Sequence, residues 1–139
     1  MKTIEKLIPA IAIAVIFTGM SCTTNTEDLT TGAEPGDGEN PIENVSYATQ
    51  VQPIFNASCT SCHGSSGGVN LSSFAQLMSS SGNNYGDNIV VAGNADASGL
   101  VDKIEPNPQS GSRMPVGGSL TNEEIEIIRV WINEGAQNN

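Results

Sequence analysis

Positive charge is scarce in this chain. Of its 139 residues five are Lys or Arg, against 15 Asp or Glu, for a formal net charge of -10. Nucleic-acid binding needs clustered Lys and Arg, so that class is excluded; two of the five, Lys2 and Lys6, sit at the very start. Aromatic residues are 4% of the chain. That is a poor supply for a large core, and a small domain so composed needs a staple: a disulfide, a metal or a cofactor. Histidine occurs once, as His63, and cysteine three times, as Cys22, Cys59 and Cys62. No apolar run reaches the roughly 20 residues that span a bilayer. There is no internal repeat and no glycine-rich nucleotide motif. The length fits one domain with attachments.

What is present centres on Cys59-Thr60-Ser61-Cys62-His63. Cys-x-x-Cys-His is the attachment signature of a c-type haem. Each thiol adds to one vinyl group of the porphyrin, and the following histidine sits under the iron. The vinyls lie on adjacent rings, so the two sulfurs must come from about one turn of chain. The expected cofactor is one covalent haem c on Cys59 and Cys62, with His63 as an axial iron ligand. A zinc half-site is the bland alternative. It would want further Cys or His ligands, and the remaining Cys lies at a processing site. A thioredoxin-like redox pair would want an alternating strand and helix pattern, which is missing.

Residues 1–21 read as a signal segment, with Lys2 and Lys6 ahead of the apolar run Ala10 to Phe17. Gly19-Met20-Ser21-Cys22 resembles a bacterial lipobox, although Gly19 stands where Leu is preferred. Cys22 is therefore the expected lipidation site. An ordinary cleaved signal that contains a cysteine is the alternative. Either way the mature protein is exported, to the periplasmic or cell-surface side of a membrane, and haem c is attached in bacteria outside the cytoplasm. Residues 22–44 carry six acidic residues after the cysteine and no Lys or Arg, with Gly and Pro interspersed. This stretch reads as a disordered, self-repelling tether.

The folded domain is expected over residues 45–139. Ser46 is an N-cap, and Tyr47, Val51, Ile54 and Phe55 share one helical face. Pro53 interrupts it, predicting a kink or a helix proper that starts near Pro53. Leu71, Phe74, Leu77 and Met78 predict a short helix, with Ser73 and Gln76 as a capping box. Residues 79–88 read as loop, and Ile89 to Ala92 as an extended segment covering the haem edge. Ser98 is expected to cap a helix running to Ile104. The clearest helix begins at a Thr121–Glu124 capping box, carries the stripe Ile125, Ile128 and Ile132, widened by Ile127 and Trp131, and ends at Gly135. Phe55 and Trp131 are expected where the terminal helices cross.

Taken together, the chain from about Ser46 to Ala136 resembles the small class I cytochromes c, in particular short mono-haem domains of exported bacterial lipoproteins. The resemblance rests on Val51-Gln52-Pro53-Ile54-Phe55, Cys59-Thr60-Ser61-Cys62-His63-Gly64, Arg113-Met114-Pro115, Leu120 to Ile125 and Trp131 to Ala136. It implies an all-α fold in which the first and last helices cross around a haem cleft. It also implies one-electron transfer.

Two methionines of the mature chain compete for the sixth iron position. Met78 lies on an apolar stripe, which favours a core role. Met114 lies in a loop beside Pro115, with no helical face to fill, and is the expected second axial ligand. Lys103 or an open site are the alternatives. Arg113 is weighed between a contact to a haem propionate and a solvated charge. The leading reading is a lipid-anchored electron carrier, not an enzyme, serving a redox partner protein or membrane oxidoreductase. The acidic balance suggests a partner with a basic patch. A haem enzyme or gas sensor with an open sixth site is the alternative, and a zinc-stapled interaction module the third.

Overall fold

The computed structural model describes residues 41–139, all within one unit, Gly38–Asn139. The expected signal segment, Cys22 and most of the expected tether lie outside the described residues. Among the described residues the regular structure is helical, with no strand. One isolated bridge pairs Gly82 with Gly86. No described helix is long and apolar enough to cross a membrane.

Pro53 shapes the first element. A π-helical turn runs Tyr47–Val51, capped by Ser46, whose hydroxyl accepts from the Thr49 N–H. The α-helix α1 then spans Gln52–Ser58, with Pro53 in its first turn. Proline has no N–H to donate, and the helix changes there from the wider π-turn, in which the Gln52 N–H still donates to the Tyr47 carbonyl, to α-helix. A 3-10 turn, Ser66–Gly68, and three further α-helices follow: α2 Phe74–Met78, α3 Gly99–Ile104 and α4 Asn122–Asn133.

α4 carries both halves of the expected capping box. The Glu124 N–H donates to Thr121 Oγ1 (3.1 Å), and the Thr121 N–H donates to a Glu124 carboxylate oxygen (2.8 Å). Ile125, Ile128, Trp131 and Ile132 are its buried face. Tyr47 stacks obliquely on Trp131, with ring centroids 5.2 Å apart, and meets Phe55 edge-on at 6.3 Å. Tyr47 of the π-turn thus lies between Trp131 and Phe55. Phe74 of α2 closes the cluster against Tyr47 and Trp131. Burying such side chains is worth about 1.5–3 kcal/mol each, so four clustered rings offset the low aromatic content.

Three expectations for the middle of the chain are corrected. Ser98 occupies the N-cap position of α3, but its side chain makes no capping bond. Its buried hydroxyl accepts from the Val91 N–H and donates to the Asn94 carbonyl, tying the preceding loop together. Ser73 caps α2, yet Gln76 does not complete a box, since its carboxamide oxygen accepts from Asn70 instead. Met78, expected in the core, is 43% exposed. α2 has five residues; Leu77 is buried and Phe74 packs against the core, which leaves Met78 outside.

The loop from Ile89 reaches α4 through two bonds. The Gly93 N–H donates to the Ile132 carbonyl, and the Ala95 N–H donates to the Asn133 side chain. Arg129 of α4 pairs with Asp96 of that loop and, at 2.5 Å, with Glu105 just beyond α3.

Candidate haem site

The motif is presented by the end of α1. The Cys59 N–H still donates to the Phe55 carbonyl (2.8 Å), and tight turns bring the Cys62 and His63 N–H groups onto the Cys59 carbonyl at 3.1 and 2.9 Å. One turn of chain therefore carries both sulfurs and the imidazole. The loop that follows is fixed at its far end by the Leu71 N–H on the His63 carbonyl (2.9 Å).

His63 Nδ1 lies 2.9 Å from the Ser66 carbonyl oxygen. A carbonyl can only accept, so Nδ1 carries the proton and the lone pair rests on Nε2. This is the usual way that a metal-ligating histidine is oriented and its tautomer fixed.

Two cavities adjoin at this point. The first, about 380 Å³, is lined by Cys59, His63 and Met114 together with the apolar side chains Val69, Leu71, Ile89, Leu100, Ile104 and Val116. The second, about 340 Å³, is lined by Cys59, Cys62, His63, Met114, Pro115 and Val116. Cys59, His63, Gly67, Met114 and Val116 line both. Each is of the size that holds a small molecule or cofactor. The structure thus gathers all four residues expected to bind haem, Cys59, Cys62, His63 and Met114, onto adjoining walls. Cys62 is exposed, whereas Cys59 is half-buried. Burial, followed by the nearby Glu124 carboxylate, pushes the Cys59 thiol up to about 11. Neither cysteine is in a disulfide.

Met114 is held by its backbone, with its N–H donating to the Lys103 carbonyl of α3 (2.7 Å). Lys103, the alternative ligand, also lines the first cavity. Its ammonium is engaged, donating to the carbonyls of Ser110 and Ser112 at 2.6 Å each. Arg113 lines neither cavity. Its Nε donates to the Ile104 carbonyl at the end of α3 (2.7 Å), clasping the loop to that helix.

The polar wall of the first cavity was missed by sequence reasoning: Asn83, Asn84, Tyr85 and Ser112. The Tyr85 hydroxyl donates to Asp102 of α3 in a short hydrogen bond. Burial and then that bond push the Tyr85 phenol up to about 12, while the same bond lowers the Asp102 carboxyl. Gly99 is what lets Tyr85 lie there, since a Cβ at Gly99 would stand 2.4 Å from the ring. A second overlooked feature is the distribution of charge. No Asp, Glu, Lys or Arg occurs from Asn44 to Gly86, and none lines the second cavity.

Among the described residues no group of three or more His, Cys, Asp or Glu could hold a metal ion, which leaves the zinc alternative without its remaining ligands. Residues 59–115 match the family model described as Planctomycete cytochrome C. The match supports a cytochrome c-like, haem-binding domain and points to an electron carrier. No significant match was found among curated proteins or among solved structures.

Proposed function

We propose that the chain is an exported one-electron carrier. It would hold a single covalent haem c on Cys59 and Cys62, with His63 and Met114 as axial ligands, and a lipid on Cys22 would tether it to a membrane. The observation that carries the reading is the shared wall: Cys59, His63 and Met114 all line both cavities, and the rest of the first cavity is mainly apolar. When bound, the haem supplies a one-electron couple whose potential is raised by His/Met ligation.

The chain's own residues fit that task. Thioether formation at Cys59 and Cys62 fixes the cofactor to the end of α1. The Ser66 carbonyl holds the His63 ring with Nε2 available for iron. The Lys103 carbonyl holds Met114 at the cavity wall. Val69, Leu71, Ile89, Leu100 and Ile104 exclude water from one side.

Intact-mass measurement of the protein matured in a host with haem-attachment machinery tests both covalent groups at once. The expected mass includes one haem, lost in Cys59→Ala/Cys62→Ala, and one lipid group, lost in Cys22→Ser. A well-folded wild type without haem would overturn the assignment, and a mass without lipid would overturn the tether.

A further inference from the structure

A haem brings two carboxylates that must be seated somewhere. Vinyl and propionate groups lie on opposite edges of the porphyrin. Attachment at Cys59 and Cys62 therefore directs the propionates across the cavity, away from the motif. Of the two cavities only the first has a cation in its wall, and that cation is Lys103. Its ammonium has three N–H donors. Two are spent on the carbonyls of Ser110 and Ser112, and the third is unassigned.

Between those two carbonyl residues lies Gly111, with a positive φ of +68°. The point where a Cβ would stand at Gly111 is 3.2 Å from Lys103 Nζ and 3.9 Å from Asn84 Nδ2. Two nitrogen donors thus converge on a space that the absence of a side chain keeps open. All three residues line the first cavity. Among the described residues the Asn84 side chain makes no hydrogen bond, whereas the neighbouring acid is satisfied: Asp102 accepts from Tyr85 and from the Gln109 N–H. Arg113, the cation first considered for this role, is turned to Ile104.

We propose that Lys103, Asn84 and the space over Gly111 form a carboxylate seat for one haem propionate. This rests on the haem reading above and adds the orientation of the cofactor. In this arrangement Lys103 positions the haem and is not an iron ligand, and its charge offsets a propionate that would otherwise face the lone pairs of Ser110 and Ser112. Charge-assisted bonds to carboxylate are about twice as strong as neutral ones, so the seat also fixes how deeply the ring enters.

The test compares haem-loaded wild type, Asn84→Ala and Lys103→Gln by resonance Raman spectroscopy in the propionate-bending region, with the midpoint potential measured alongside. Asn84→Ala leaves the loop carbonyls bonded to Lys103, so it separates the seat from loop stability. Each variant is expected to shift a propionate band, and Lys103→Gln also to lower the midpoint potential, because a positive charge near the iron is removed. Unmoved propionate bands in both variants, each with haem attached, would overturn the seat alone. A wild type that takes up no haem would overturn the haem reading and the seat with it.

Discussion

Met114 reaches the cavity wall because its N–H is tied to α3, which makes it the testable residue of the site. Thioether sulfur is a soft ligand that favours reduced iron. Met114→Ala is expected to keep the haem covalently attached, open the sixth position to carbon monoxide and lower the midpoint potential. The weak red-end band of the oxidised spectrum should vanish in this variant and persist in Met78→Leu; the reverse pattern would move the ligand to Met78. A second residue-scale expectation concerns pH. The Asp102 carboxyl is lowered by Tyr85, so its contribution to stability is present above the ordinary carboxylate value of about 3.9 and is lost as pH falls through the folded value. Tyr85 is raised to about 12, so its contribution is complete below about 10 and is lost as pH rises towards 12. Denaturant midpoints of Tyr85→Phe across both ranges should show a flatter acid limb and a flatter alkaline limb than wild type. Unchanged limbs would remove the pair from the stability account.

At the scale of elements, what could be read in advance was what is local. Ser46 and the Thr121–Glu124 box cap as expected, because a cap is decided within four residues. Pro53 announced the break that the structure resolves as a π-turn running into α1. The readings that failed depend on partners distant in sequence. Ser98 has the residue type of a cap, but its hydroxyl is spent on Val91 and Asn94. Met78 continues a stripe that a five-residue helix is too short to bury. Tyr85 stands in a polar loop without periodicity, and its role becomes visible only once α3 brings Gly99 and Asp102 beside it. That contact gives an element-scale expectation. Gly99→Ala would place a methyl against the Tyr85 ring, with backbone on one side and cavity on the other. Overpacking of this kind costs about 1–3 kcal/mol, so the denaturant midpoint should fall. The haem band should also change, because Tyr85 lines the cavity. A variant as stable as wild type would show that the ring is free to move.

For the whole molecule, net charge and charge placement give different expectations about docking. The total of -10 suggests a basic partner, but Asn44 to Gly86 holds no Asp, Glu, Lys or Arg. The wall carrying Cys62, Pro115 and Val116 is equally free of Asp, Glu, Lys and Arg, and Val116 is 78% exposed. A partner that takes electrons through that wall would meet it with an uncharged, partly apolar face. Steered encounters gain about 10–1,000-fold in rate at low salt. Here the electron-exchange rate with such a partner should change less than about tenfold between low and high ionic strength. A steeper fall in stopped-flow rates would place docking on the acidic remainder of the surface.

The two ends of the folded body are laced to each other. Asn139 accepts from the Ala48 N–H (2.9 Å), the Ser46 hydroxyl (2.9 Å) and the Tyr47 N–H (2.8 Å), and its own carboxamide donates to the Val45 carbonyl. Glu134 adds the N–H groups of Asn44 and Val45. Chain therefore enters and leaves this body at a single seam. A body with one seam can be spliced into a surface loop of another protein as a pendant, its host bridging only the width of a hydrogen-bonded pair. Chain added beyond Asn139 would emerge beside Asn44 and Val45, so a fused neighbour would hang from the corner at which the folded body begins.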